Sequence, residues 1–308
     1  MKYILVRSFS GFGDRIEHLL CVLHYVLKSK RTLVIDWTDH VWCGNEPDKD
    51  FYHYFKLNNV SMIGLKEFKL RFIKAQKSNE KLTVIPEFFK DTILRRSDEN
   101  DVKYRFADIQ DHFRNIIIGK TKDLPYDVVV TTDLDMRNNK GIIAISNLVY
   151  KDFIMEYIKK DPNYEFLMTN KFVSVHLRGT DRSIYTEDYR PDLTNFSHHT
   201  DKYINNMLKK IPKGTKNILL LSDSTSLISN FLKKVDSNYT IVQTNNEKSS
   251  GNIGLHLERC DSKFTKNMEL LKDFYFMTNS EIVICDEISR FSLVAKRVCD
   301  LKRGRTLE

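Results

Sequence analysis

Three times in its second half the chain runs through an apolar, β-branched segment, stops at a polar turn, and continues into a helical pattern. The segments are KFVSVHLRGTDR (Lys171–Arg182), KNILLLSDSTS (Lys216–Ser226) and EIVICDEISRFS (Glu281–Ser292). Short apolar runs of this kind read as buried strands, and strands alternating with helices build a parallel sheet. In such a sheet the strand ends share one edge, and ligands sit beyond it. The turns carry His176, Arg178, Asp181 and Arg182, then Ser222 and Asp223, then Ser289. The guanidinium of Arg178 can grip a phosphate through its fork of donors. Asp181 can orient that guanidinium or cap the next element. Ser289 stands at a strand-to-helix turn, where hydroxyls and backbone N–H groups favour phosphate oxygens.

The opening repeats the pattern. Lys2–Arg7 reads as a strand, Asp14–Lys28 as a helix with Ile16, Leu19, Leu20, Leu23, Val26 and Leu27 on one face, and Arg31–Trp37 as a second strand. Gly11 and Gly13 form half of a dinucleotide fingerprint, but Ile16 stands where its third glycine belongs, so a sugar-approached or purely structural turn is the better reading. Residues 39–100 are less regular. Asp127–Thr132 is a strand that runs into Asp133 and Asp135, a pair that can hold a divalent cation against a diphosphate. Leu148–Lys159 reads as a helix, and Asp161–Pro162 as the crossing between halves, giving domains of 1–165 and 166–308. Asp223-Ser-Thr-Ser is expected to cap the helix that runs to about Lys234. The polar loop Ser183–His199, with Glu187, Asp188, His198 and His199, is where a general base is expected.

Composition narrows the classes. With 308 residues, 41% hydrophobic and 29% charged, the chain suits one large or two medium soluble domains. A net charge of +8 fits an anionic partner such as a nucleotide sugar, a nucleic acid or an anionic membrane. The Lys and Arg are spread along the chain, which argues against nucleic acid. Five cysteines (Cys21, Cys43, Cys260, Cys285 and Cys299) form no CxxC pair, so neither a disulfide framework nor a zinc site is expected. Met1–Val6 runs straight into a strand pattern, no apolar run reaches spanning length, and an intracellular, cytoplasmic setting is expected.

Four ordered segments carry a resemblance. GFGDRIEHLLCVLHYVLKSKRTLVIDW (Gly11–Trp37), VSVHLRGTDR (Val173–Arg182, an HxRxxD motif), LLLSDSTSLISNF (Leu219–Phe231) and LLKDFYFMTNSEIVICDEISRFSLVA (Leu270–Ala295) agree in order and spacing with the NodZ-like and α1,6-fucosyltransferase superfamily, to which the protein O-fucosyltransferases are distantly related. The resemblance implies an α/β fold of two Rossmann-like domains, a GT-B glycosyltransferase, with the acceptor on the N-terminal side and GDP-fucose on the C-terminal side. By position it assigns His176 and Asp273 to guanine, Arg178 to the β-phosphate, Asp223 to the side of the nucleotide and Ser289 to the pyrophosphate. Reaction in that family inverts the anomeric centre and needs no metal or other cofactor, which leaves Asp133 and Asp135 as bystanders.

In the α1,6 enzymes a glutamate downstream of the motif histidine is the proposed base. Thr186 stands at that count here and Glu187 one further on, so Glu187 is the candidate, followed by Asp188. The family's second arginine is replaced by Gly179, for which Arg182 can substitute. An oligosaccharide acceptor is expected, with a GlcNAc-containing one as first choice. Other readings that keep these residues are a nucleotide-sugar or glycan-binding protein without turnover, and a metal-dependent transferase using Asp133 and Asp135.

Overall fold

Tyr3–Arg7 (β1) is buried along its whole length. In the computed structural model, which describes residues 2–78, 80–96, 123–132, 139–179, 196–244, 262–285 and 289–306 (the backbone alone at 139–140 and 196–200), β1 lies between two parallel neighbours. These are β2 (Thr32–Asp36) and β5 (Val128–Thr132). A strand enclosed on both sides and both faces has no place for polar alternation, hence the run YILV. A short β4 (Val84–Ile85) extends the sheet, so its order is β2-β1-β5-β4. Helix α1 (Phe12–Val26) starts two residues before the expected Asp14, with Gly11 as N-cap. It packs against the 3-10 stretch Asn139–Asn147 so closely that a Cβ on Gly141 would lie 2.8 Å from the Cys21 Cα. Only glycine permits that approach.

The described residues between 39 and 96 hold more order than their sequence suggests. Asp39 and Asp50 cap two single-turn helices, α2 (His40–Cys43) and α3 (Phe51–Tyr54), by accepting backbone N–H bonds. Helix α4 (Leu65–Lys77) buries Leu65, Phe68 and Phe72 against the sheet. That stripe is only three residues wide in a lysine-rich segment, which hides its helical period. The segment Leu148–Lys159 is not one helix. Leu148–Tyr150 (β6) pairs antiparallel with Phe55–Leu57 (β3), and α5 begins only at Asp152. Tyr150 stays in the sheet by packing its ring on Phe55, 5.4 Å between centroids.

The chain divides into two compact units. One comprises residues 1–152 with 260–264, the other 153–259 with 265–308. The cut thus falls at Asp152/Phe153, whereas the sequence suggested 165. The second unit starts with α5 (Asp152–Lys159) and α6 (Tyr164–Thr169). Its sheet, β10-β7-β8-β9, consists of β7 (Val173–Leu177), β8 (Asn217–Ser222), β9 (Thr240–Gln243) and β10 (Ile282–Ile284), all parallel. Helices α7 (Phe196–Lys209), α8 (Thr225–Lys234), α9 (Phe264–Asn279) and α10 (Arg290–Lys302) accompany it. Val175, Leu177, Ile204, Leu220, Leu227 and Phe231 form the core of this unit. The buried Lys272 of α9 reaches back to Asp161 (3.0 Å) and Glu269 (2.7 Å), tying the helix to the segment between α5 and α6. Among the described residues no helix is long and apolar enough to cross a membrane.

Buried arginines lock the first unit. Arg31, fully enclosed, donates to Asp123 (2.6 Å) and to the carbonyls of Tyr3 (3.0 Å) and Tyr126 (2.9 Å). Burial pushes the Asp123 carboxyl up, but hydrogen bonds from Tyr25, Arg31 and Lys2 and the Arg31 charge outweigh it and bring it down to about 2. The folded carboxyl therefore ionises below the unfolded one. Its contribution is present above about pH 4 and is lost as the pH falls toward 2. Asp123→Asn should cost about 2–3 kcal/mol at pH 7, less than a fully buried broken pair because the carboxylate keeps some water. Urea denaturation at pH 7 and pH 2 should show the gap between variant and parent closing at the acid end.

One glycine in the second unit is equally constrained. A Cβ on Gly179, just beyond β7, would lie 2.7 Å from Ser224 Cβ and 2.9 Å from Leu227 Cδ1, at the start of α8. Gly179→Ala should destabilise the fold by ~1–3 kcal/mol, the range for forcing extra atoms into a packed site. Thermal unfolding reads this directly, and a stability equal to the parent would contradict the packing.

Candidate functional site

Because β10, β7 and β8 run parallel, their C-terminal ends meet one edge of the second sheet. The strands β7 and β8 are in register at Leu177 and Ser222, so Arg178 and Asp223 occupy the next rung. Nη1 of Arg178 lies 2.8 Å from Oδ2 of Asp223. The other oxygen of that carboxylate, Oδ1, accepts the backbone N–H of Gly179 at 2.8 Å. One carboxylate thus holds both the side chain of Arg178 and the main chain that follows it. The hydroxyl of Tyr203, on α7, accepts the backbone N–H of Arg178 at 3.2 Å. Main chain and side chain of Arg178 are fixed by two different elements.

The stretch Asp223-Ser-Thr-Ser does cap α8, as its sequence suggests, and within it the cap is Ser224 and not Asp223. Ser224 is the N-cap, its hydroxyl accepting the N–H of Leu227 at 3.4 Å, while Ser222 accepts the N–H of Ser224 at 3.0 Å. The reason is electrostatic: a carboxylate gains more from a guanidinium and a buried N–H than from a neutral cap bond, which serine supplies as well. Tyr203 is the residue the sequence did not reveal. On α7 it looks like one more apolar-face aromatic, and only the fold puts its oxygen beside Arg178.

The first unit contains the same motif in sealed form. Arg7 at the end of β1 pairs with Asp36 at the end of the adjacent β2, 3.1 Å apart and both fully buried. The rest of its guanidinium is committed to the carbonyls of Thr92 (3.0 Å), Ile93 (3.1 Å) and Arg95 (3.3 Å). By contrast the Arg178 side chain is 19% exposed over an Asp223 that is 5% exposed. One strand-end arginine is a structural clamp, and the other has a solvent-reached face.

The remaining candidates are distributed along the same edge and behind it. His176, in β7, is buried, with its ring 5.6 Å from that of Phe291 in α10, and Phe291 in turn lies 5.9 Å from Phe274 of α9. Asp273 precedes Phe274 and is half-buried. Ser289 is the N-cap residue of α10, makes no side-chain cap bond, and accepts the Ser292 hydroxyl at its carbonyl at 3.2 Å. This 13-residue helix follows β10 in the chain, and helix starts favour anions.

Gly11 and Gly13 belong to the first unit. Their turn is organised by Arg15, whose Nε donates to Ser10 O (2.7 Å) and Nη1 to Ser8 O (2.6 Å) while Asp39 grips it at 2.9 and 2.8 Å. Asp181, Arg182, Glu187, Asp188, Asp133, Asp135 and Cys260 lie outside the described residues, as do the side chains of His198 and His199. Among the described residues no group of three or more His, Cys, Asp and Glu could hold a metal ion.

Neither a protein-family model nor a curated protein sequence matches this chain. Solved structures do. The NodZ α-1,6-fucosyltransferase of Bradyrhizobium, soaked with GDP-fucose, superposes with a TM-score of 0.60 at 16% identity over 97% of this chain and 93% of that one. The same enzyme co-crystallised with GDP gives 0.62 at 15% identity, over 96% and 92%. POFUT1 in complex with GDP-fucose gives 0.56 at 16% identity, over 97% and 95%. The chain has the α/β, parallel-sheet fold of these GT-B-type fucosyltransferases.

Proposed function

We propose that this chain is an inverting, metal-independent fucosyltransferase that moves L-fucose from GDP-fucose to a hydroxyl of an oligosaccharide. The observation that carries the reading is the held but solvent-reached guanidinium of Arg178 at the strand edge. The fold shared with enzymes solved with GDP and GDP-fucose supports it.

In this reading two Rossmann-like units share the work, and the second binds the donor. The pyrophosphate lies against Arg178 and the α10 start at Ser289, with His176 and Asp273 toward guanine and Ser222 and Asp223 beside the nucleotide. Arg182 supplements Arg178, since the packing at Gly179 leaves no room for the arginine the family places there. Asp181 contributes to the same loop. As the bond from the fucose anomeric carbon to the phosphate oxygen breaks, negative charge grows on the β-phosphate, and a guanidinium already fixed in place stabilises it without reorganising. The acceptor oxygen bonds to the opposite face of the anomeric carbon, and its proton passes to Glu187, with Asp188 as the other candidate base. Asp223 does its part by fixing the cation and not by touching the sugar. A GlcNAc-containing acceptor, an α1,6 linkage and a cytoplasmic setting belong to the same reading.

GDP release measured with GDP-fucose, GDP-mannose and UDP-sugars against a panel of oligosaccharides should single out GDP-fucose. Arg178→Ala should lower kcat/KM by at least ~30-fold, equivalent to ~2 kcal/mol, the scale for removing one aimed cationic donor. Near-parental turnover in that variant would remove the foundation of the proposal. Glu187→Gln should abolish transfer while GDP affinity by calorimetry stays within a factor of about two, as expected for a group that acts only on the acceptor proton. Should neither parent nor variant transfer any sugar while GDP still binds, the chain is a binding protein of the same fold.

A further inference from the structure

The exposed face of α4 has a composition that packing does not explain. Helix α4 buries Leu65, Phe68 and Phe72. On the side away from them Leu70 is 60% exposed, the most open of the large hydrophobic residues in the described structure. Lys66 and Lys74 lie one turn before and after it, and Lys77 two turns after, on the same face. All three are exposed, and none makes an ion pair or side-chain hydrogen bond among the described residues. The helix's other charges are spent: Arg71 pairs with Glu67, and Lys69 donates to the Arg95 carbonyl at 3.0 Å. Lys74 and Lys77, three apart on the helix, repel each other, and an open leucine beside them gains nothing from water. Folding alone favours neither feature.

We propose that this face of α4 docks on an anionic lipid bilayer, with Leu70 entering the headgroup boundary and Lys66, Lys74 and Lys77 meeting lipid phosphates. The three ammonium groups span roughly 16 Å along the helix axis at ~1.5 Å per residue. That matches a flat surface of repeated negative charge rather than one bound anion. A polar apex would serve a nucleic acid or acidic protein as well, and the apolar apex is what favours a membrane. The helix lies within the first unit, and the proposal is independent of the sugar-transfer chemistry.

Sedimentation of the full chain with vesicles tests it. Binding should occur to vesicles of equal parts phosphatidylcholine and phosphatidylglycerol, be absent with phosphatidylcholine alone, and weaken with salt. Each surface lysine contributes about fivefold, so K66Q/K74Q/K77Q together should lower partitioning by ~100-fold. Leu70→Gln should lower it by ~10-fold at unchanged charge. The comparison variant K209Q/K210Q/K213Q removes the same charge from exposed positions of the second unit and should bind as the parent does. All the altered side chains are exposed, so melting temperatures should agree with the parent. Equal loss in the two lysine triples would show a net-charge effect and overturn the proposal. An unaltered affinity for Leu70→Gln, with heparin or RNA competing as well as vesicles, would point to a soluble polyanion and overturn it too.

Discussion

Asp223 is the residue through which the candidate site holds together. A carboxylate at a strand end ordinarily faces water or caps the helix that follows. Here it is buried, and it can be buried because both of its oxygens are satisfied, one by the Arg178 guanidinium and one by the Gly179 N–H. The desolvation penalty of a charge in the protein interior is offset only when such partners are well placed. The partners in turn require the parallel register of β7 and β8, which puts residues 178 and 223 on one rung. Gly179 has to be glycine, since α8 begins where its side chain would stand. Sheet register, a missing side chain and one ion pair are therefore a single constraint.

The two units use the same device to different ends. Strand-end arginines pair with carboxylates of the adjacent strand in both. In the first unit Arg7 is closed off by backbone carbonyls, and Arg15 and Arg31 are enclosed in the same way. These cations hold loops to the sheet, with Arg15 also lying over the Trp37 and Trp42 rings at 5.6 and 5.7 Å. In the second unit the corresponding cation keeps a face toward solvent. A buried, fully satisfied arginine rigidifies a fold, while the Arg178 side chain, held by Asp223, stays 19% exposed. The difference lies in what surrounds the guanidinium.

The sequence was legible where its period was clean. Strands β1, β2, β5, β7, β8 and β10 were each readable from apolar runs, most plainly β1, β5, β7 and β8, because strands with a parallel neighbour on each side are largely apolar. Helix α4 was not, since its three buried residues are diluted by lysines that serve another surface. The β3–β6 ribbon was not, since three residues of a strand next to a helix start look like one more helical turn. The capping stretch at residues 223–226 was readable, but not that Ser224 would serve and Asp223 be left for Arg178, because local propensity does not see a cation arriving from a neighbouring strand.

The amino-acid sequence by itself determined most of the element types, the parallel-sheet class, and Arg178 as the residue to examine. These follow from short-range patterns, which hydrophobicity and turn chemistry impose locally. The tertiary structure alone decided that Asp223 and Tyr203 position that arginine, that Arg7 is a clamp, and that Gly179 leaves no room for a second cation. Those outcomes depend on distances between residues far apart in the chain, and only sheet register and helix packing determine such distances.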